Sequence, residues 1–149
     1  MINNFEVLSV NISEKKGTIK TPRPEITLNE KGVESDAHAG DWHRQVSLLA
    51  NESIQRFQKQ LDRKLEFGEF AENITTQGIV LHETKPGDRL IIGDAILEVT
   101  QIGKKCHGSN CQIFQQVGNC VMPKEGIFAK VINPGIIKPG NKCELIVNQ

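Results

Sequence analysis

The stretch A-I-L-E-V-T-Q-I-G-K-K-C-H-G-S-N-C-Q-I-F-Q-Q-V-G-N-C-V-M-P-K-E-G, residues 95–126, joins a strand pattern to a cluster of sulfur. Ala95–Ile102 alternates like a half-buried strand, with Ile96 and Leu97 blurring one step. Cys106 therefore leaves a strand end and enters a loop. Ser109 or Asn110 is placed to cap a short helix beginning near Cys111, with Ile113, Phe114 and Val117 on one face and Gly118 as its stop. Three of the four cysteines (Cys106, Cys111, Cys120) fall here. Lys104, Lys105 and His107 put positive charge beside Cys106, and a helix N-terminus offers partial positive charge to Cys111. Both effects favour thiolate over thiol. Cys106, His107, Cys111 and Cys120 are thus the first candidates for sulfur chemistry.

Composition narrows the setting. At 149 residues one domain is expected, large enough for a core without staples. Eighteen basic and eighteen acidic side chains cancel, so no bulk field draws the chain to nucleic acid or an anionic membrane. No apolar run approaches the roughly 20 residues of a membrane span. The start, M-I-N-N-F-E-V-L, has no charged region leading into a hydrophobic core, so no export signal is expected. A reducing cytoplasm follows, where several cysteines in one loop point to metal or catalysis ahead of disulfides.

Outward from residues 95–126 the pattern is mostly strand. Phe5–Ile12 alternates as a first strand, and Gly17–Ile26, with Pro22 and Pro24, reads as an extended edge. Ile26–Val33 is a second extended segment broken by Gly32. Gly32–Leu49 then crowds Asp36, His38, Asp41, His43 and Arg44 into nine positions before a strand at Gln45–Ala50. That loop reads as one wall of a site or as a solvated loop with a histidine bonded to a carboxylate. The five-residue step from His38 to His43 excludes a helical zinc pair. Asn51 is expected to cap a helix over Glu52–Leu61, with Ile54, Phe57 and Leu61 on one face. Phe67–Ile74 packs on that helix or brings Glu72 and Asn73 to the site. K-P-G-D at Lys85–Asp88 and K-P-G-N at Lys138–Asn141 each spell a type II turn into an apolar strand. Cys143 falls inside the second of these strands and reads as core. Ile127–Ile132 adds one more strand. Seven or more short strands against one or two helices predict a mostly β fold, a closed or half-closed barrel that hides its edges.

Taken together, these pieces resemble the MOSC domain, the module named for the C-terminal part of molybdenum cofactor sulfurases. The resemblance rests on G-V-x-x-D-x-H-x-G at Gly32–Gly40, H-R-Q-V-S-L-L at His43–Leu49, F-A-E-N-I at Phe70–Ile74, K-P-G-D-R at Lys85–Arg89 and Cys106 after the long strand. Ala71 stands where that family usually has glycine. The form resembles small stand-alone members and those fused to cofactor-biosynthesis domains. The resemblance implies a β-barrel and a role in handling sulfur or a molybdopterin-type molybdenum cofactor, with Cys106 as the hallmark cysteine. There it carries sulfur as a persulfide, as in a sulfurtransferase, or ligates molybdenum. No pyridoxal-phosphate desulfurase domain is present, so a donor is needed: a sulfur donor protein or a small sulfane donor. The acceptors implied are enzymes that build or use the molybdenum cofactor. Some relatives act against N-hydroxylated bases, which leaves a detoxifying role open.

Three readings of the site follow. In the first, the Cys106 thiolate takes sulfur from a donor, and Cys111 or Cys120 resolves the persulfide. In the second, Arg23, Arg44 and Lys105 contact an anionic cofactor, lined also by Asp36, His38, His43, Glu72 and Asn73, while Cys106 meets the metal. In the third, Cys106, His107, Cys111 and Cys120 hold zinc, which the C-x4-C-x8-C spacing disfavours. Oligomeric state leaves no mark in the sequence.

Overall fold

The long alternating strand at 95–102 is where the barrel's geometry is set. The computed structural model describes residues 2–15, 19–60, 62, 64–103 and 125–148. Among them the order is β1 (Ile2–Ile12), β2 (Thr21–Arg23), β3 (Ile26–Asn29), β4 (Gly32–Val33), β5 (Val46–Ala50), α1 (Asn51–Gln58), β6 (Ile74–Gln77), β7 (Arg89–Ile92), β8 (Ala95–Ile102), β9 (Ile127–Asn133), β10 (Gly135–Ile137) and β11 (Lys142–Ile146). A 3-10 turn lies at Leu81–Glu83.

Seven strands close into a barrel in the order β11-β7-β8-β9-β5-β6-β1, with β1 pairing back to β11 and β2 added beside β1. A small second sheet runs β10-β3-β4. Closure removes the free edges an open sheet would expose. Alternation along each strand turns Val7, Val10, Leu48, Ile74, Leu90, Leu97, Val99 and Ala129 into one buried interior. Each such aliphatic side chain contributes about 1.5–3 kcal/mol on leaving water. β5 and β6 are parallel neighbours, so the chain must cross over between them. α1 and the residues to Asn73 make that crossover on the barrel's outside, where Phe57 meets Phe70 edge-to-face at 5.5 Å.

The blurred step at Ile96 and Leu97 is a β-bulge: the partner on β9 jumps from Asn133 to Val131 between them. A second bulge leaves Thr100 unpaired between Val99, opposite Ala129, and Gln101, opposite Phe128. The two Pro-Gly turns match atom for atom. Gly87 (φ 99°) and Gly140 (φ 92°) hold the positive φ, Asp88 N donates to Lys85 O at 3.0 Å, and Asn141 N to Lys138 O at 3.1 Å.

Several expectations change. The helix begins at Asn51 itself, and Ala50 occupies the cap position without a side-chain bond. β5 runs straight into α1, so Asn51 is already helical and its Oδ1 accepts from Gln55 Nε2 at 3.3 Å. α1 ends at Gln58, and Leu61 lies outside the described residues. Among the described residues of the extended edge expected over Gly17–Ile26, strand is found at Thr21–Arg23, and β3 begins at Ile26. Ile26–Val33 is a hairpin, because Gly32 (φ 123°) turns the chain back so that Val33 pairs with Leu28. The short helix expected near Cys111 falls outside the described residues.

Candidate functional site

The ionic loop meets the end of β8 on the outer wall formed by β8, β9 and β5. In that wall Gln101 lies opposite Phe128, and Phe128 lies opposite Ser47. Ile127 and Ala129 point into the barrel, so Phe128 between them points outward. It is nevertheless 1% exposed. Part of its cover is Arg44, whose guanidinium carbon stands 5.7 Å from the Phe128 ring centre and 4.7 Å from that of Trp42. A cation between two aromatic faces is held by their quadrupoles. Among the described residues no carboxylate pairs with Arg44, and its Nε is buried without a hydrogen-bond partner.

The neighbouring side chains fasten this loop to the wall. Trp42 Nε1 donates to His38 O at 2.9 Å, and the indole lies between the rings of His38 (6.2 Å) and His43 (6.0 Å). The bulged Thr100 bonds through Oγ1 to His43 O and, at 3.2 Å, to Phe128 O. His43 Nε2 is 2.8 Å from Gln101 Oε1, and Gln101 Nε2 donates to Gly103 O at 2.7 Å. Gly103 N in turn donates to Gly126 O at 2.7 Å. Both ends of the cysteine-bearing stretch are therefore tied together beside His43.

Behind the rim sits a buried polar frame. Lys20, 1% exposed, donates from Nζ to Asp36 Oδ1 (2.8 Å) and Oδ2 (3.1 Å) and to Ser13 Oγ (3.1 Å). Asp36 also accepts from Ser13 N and His38 N. Burial alone would raise the Asp36 carboxyl, but the Lys20 bond, the backbone N–H groups and the ammonium charge outweigh it and hold it below the ordinary value. Asn73 Oδ1 accepts from Ser47 N (3.0 Å) while Nδ2 donates to Asn11 O (3.2 Å), bracing β5 to β1. Glu72 is fully buried and accepts from Gly68 N (3.0 Å) and Thr75 Oγ1 (2.7 Å). Desolvation dominates there and pushes its carboxyl up.

The far end of the cysteine stretch is held as well. Glu125 accepts from Ser53 Oγ at 2.5 Å and pairs with Arg56, with His82 Nδ1 at 3.8 Å. Burial opposes charge on Glu125, but the Ser53 and Arg56 bonds prevail and lower its carboxyl.

Of the expected site residues, His38, His43 and Arg44 share the rim. Asp36, Glu72 and Asn73, expected as cofactor contacts, are buried behind it. The oxygens of Asp36 and Asn73 and Oε2 of Glu72 meet Lys20, backbone N–H groups and hydroxyls that hold the loops in place, while Glu72 Oε1 is buried without a hydrogen-bond partner. Arg23 lies exposed on β2, opposite Val10 of β1 and four strands from Phe128. Lys105, Cys106, His107, Cys111 and Cys120 lie outside the described residues. Among the described residues no three His, Cys, Asp or Glu side chains group as a metal site. Lys20, Thr100 and Gln101 were not legible beforehand, because a lone lysine reads as surface and a bulge has no sequence period.

A family model described as the MOSC domain matches residues 35–144, from the ionic loop to β11. The chain belongs to the MOSC domain family. Solved MOSC-type relatives agree on the fold. The YUAD protein from Bacillus subtilis is 17% identical with a TM-score of 0.85, covering 100% of this chain and 99% of that one. YiiM from Geobacillus stearothermophilus is 21% identical with a TM-score of 0.73, over 97% and 75% of the two chains. YiiM from Escherichia coli is 22% identical with a TM-score of 0.64, over 100% and 71%. No curated protein matches in sequence. Among the described residues of this MOSC domain, no helix is long and apolar enough to cross a membrane.

Proposed function

We propose that this MOSC domain is a sulfur carrier in which Cys106 holds sulfane sulfur as a persulfide. The supporting observation is the Gly103–Gly126 pairing beside His43, which makes the cysteine stretch start and finish at the Arg44 rim. Cys106 follows Gly103 by three residues, a span of about 11 Å at full extension. In the reaction a Cys106 thiolate attacks the outer sulfur of a donor such as thiosulfate. The new S–S bond forms as the S–SO3 bond breaks, and sulfite leaves with the electron pair. Arg44, with no carboxylate partner among the described residues, stabilises the anionic thiolate and persulfide. Cys111 or Cys120 then attacks the inner sulfur, closing a disulfide and releasing hydrosulfide to the acceptor. In a reducing cytoplasm that disulfide is reopened by cellular thiols.

A second reading is favoured by the same guanidinium, which has no carboxylate partner among the described residues. A molybdopterin-type cofactor is anionic, so Arg44 fits it, with His38 on the same rim; Lys105 and Cys106, which lie outside the described residues, would supply a further cation and the soft ligand. When bound, that group supplies two-electron chemistry, including action on N-hydroxylated bases. This chain's part is to bind and orient it.

Purified protein incubated with thiosulfate should gain one sulfur mass on the peptide bearing Cys106, and Cys106→Ser should gain none. Unchanged loading in that variant overturns the assignment. Absence of loading together with molybdenum and pterin retained through purification transfers the assignment to the second reading.

A further inference from the structure

The His43–Gln101–Gly103 chain determines which nitrogen of His43 carries hydrogen. Gly103 O can only accept, so the amide nitrogen of Gln101 must face it at 2.7 Å. That leaves Gln101 Oε1 toward His43 Nε2 at 2.8 Å. An amide oxygen also only accepts, so the imidazole hydrogen sits on Nε2. In the neutral ring Nδ1 is then a bare lone pair. The His43 side chain is exposed, and no hydrogen bond to Nδ1 is found among the described residues. The backbone is pinned too, since the bulged Thr100 bonds His43 O. His43 and Arg44 both stand against the Trp42 ring, at 6.0 and 4.7 Å, and no carboxylate pairs with that guanidinium among the described residues.

We infer that His43, locked as the Nε2–H tautomer by Gln101, is the proton acceptor for a neutral thiol that docks at this rim, with Arg44 on the same Trp42 ring to hold the resulting thiolate. The inference rests on reading this rim as the sulfur-handling site. The proton leaves sulfur for Nδ1, giving an imidazolium that still donates from Nε2 to Gln101, and the electron pair stays on sulfur. No oxidant is consumed. The sulfur has two sources of the same chemistry: a cysteine of this chain, or a small thiol from solution. Gln101 is a positioning residue, acting through His43.

Imidazole 15N NMR on the intact chain tests the lock. His43 should show a protonated Nε2 and a bare Nδ1 at mildly alkaline pH. Gln101→Leu should mix the tautomers, and Gln101→Glu, which still accepts from Nε2, should restore one. A wild-type ring found as the Nδ1–H tautomer overturns the inference. Sulfur loading from thiosulfate then tests proton uptake, with His43→Gln and Gln101→Leu each slowing it by about a hundredfold, the usual scale for a positioned base, and Gln101→Glu rescuing it. Loading that proceeds at the wild-type rate in His43→Gln sinks the inference and leaves the sulfur-carrier reading standing. If no sulfur loads on any form, the carrier reading fails by itself. The inference is then judged by adding 2-mercaptoethanol, a neutral thiol at that pH, to Cys106→Ser: a 15N shift of Nδ1 toward the protonated value supports a small-molecule source, and an unmoved signal overturns it. A signal that differs between wild type and Cys106→Ser without any addition identifies the chain's own thiol as the source.

Discussion

Lys20 Nζ lies 2.8 Å from Oδ1 of Asp36, and neither side chain is exposed. The pair joins the strand edge at β2 to the ionic loop that carries His43 and Arg44. Ser13 takes part from both sides, accepting from Lys20 through Oγ and donating to Asp36 through its N–H. Removing one partner leaves a buried charge without its counter-ion.

Lys20→Met or Asp36→Asn should therefore lower unfolding free energy by about 3–5 kcal/mol in urea titrations. The double change Lys20→Met with Asp36→Leu should cost less than the sum of the two. The carboxyl of Asp36 is held below its ordinary value of 3.8, so above that value the folded state gains from the pair. As pH falls below 3.8 the unfolded chain takes up the proton first, and that gain disappears through the folded value. Simple addition of the single effects would show that the pair acts as two independent groups.

Glu72 behaves in the opposite sense. Desolvation raises its carboxyl above 4.5 in the folded chain. The folded state then binds the proton more tightly, so its contribution is whole below 4.5 and declines as pH rises through the folded value. Glu72→Gln should flatten the stability profile above 4.5, where a single retained proton contributes a slope of about 1.4 kcal/mol per pH unit at most. A profile identical to wild type would place the ionising group elsewhere.

Two turn residues near Glu72 make a matched test of backbone strain. Ala71 has φ 65°, a left-handed conformation that costs an L residue about 1–2 kcal/mol. Ala71→Gly should raise the unfolding free energy by about 0.5–1 kcal/mol, once glycine's extra chain entropy is set against that strain. Gly68 (φ 90°) is the converse, since a Cβ there would stand 2.2 Å from Lys20 O. Gly68→Ala should destabilise by about 2 kcal/mol or more, and equal midpoints for the two variants would refute the strain assignment.

Cys143 separates packing sulfur from reactive sulfur. It is 1% exposed in β11, and burial followed by the Glu6 charge pushes its thiol to about 12. It should resist iodoacetamide at neutral pH in the folded chain. Cys143→Ala should lower stability by about 1–2 kcal/mol with sulfur loading unchanged. Rapid alkylation of Cys143, read by peptide mass, would mean that β11 opens in solution.

Much of the architecture was legible along the chain because strands announce themselves locally. Period-two alternation marked 95–102 to the residue, and the two Lys-Pro-Gly turns were placed by the conformation glycine alone adopts freely. Cys143 was read as core because it stands in an apolar strand. Helix ends fared worse. Asn51 has the chemistry of a cap, but the strand before it ran directly into the helix and made it the first helical residue. The ionic loop was read as one wall of a site or as a solvated loop, and its members divide between buried and exposed positions in a way that spacing does not encode.

By itself the sequence determined a small barrel, its strand periods, its turns and the family motifs, since each depends on residues adjacent along the chain. Only tertiary structure decided that Asp36 belongs to Lys20, that Glu72 and Asn73 brace strands, and that His43 answers to Gln101 fifty-eight positions away. Those assignments follow from barrel closure and from the bulge at Thr100, which bring distant side chains within hydrogen-bonding range; no local pattern carries that information.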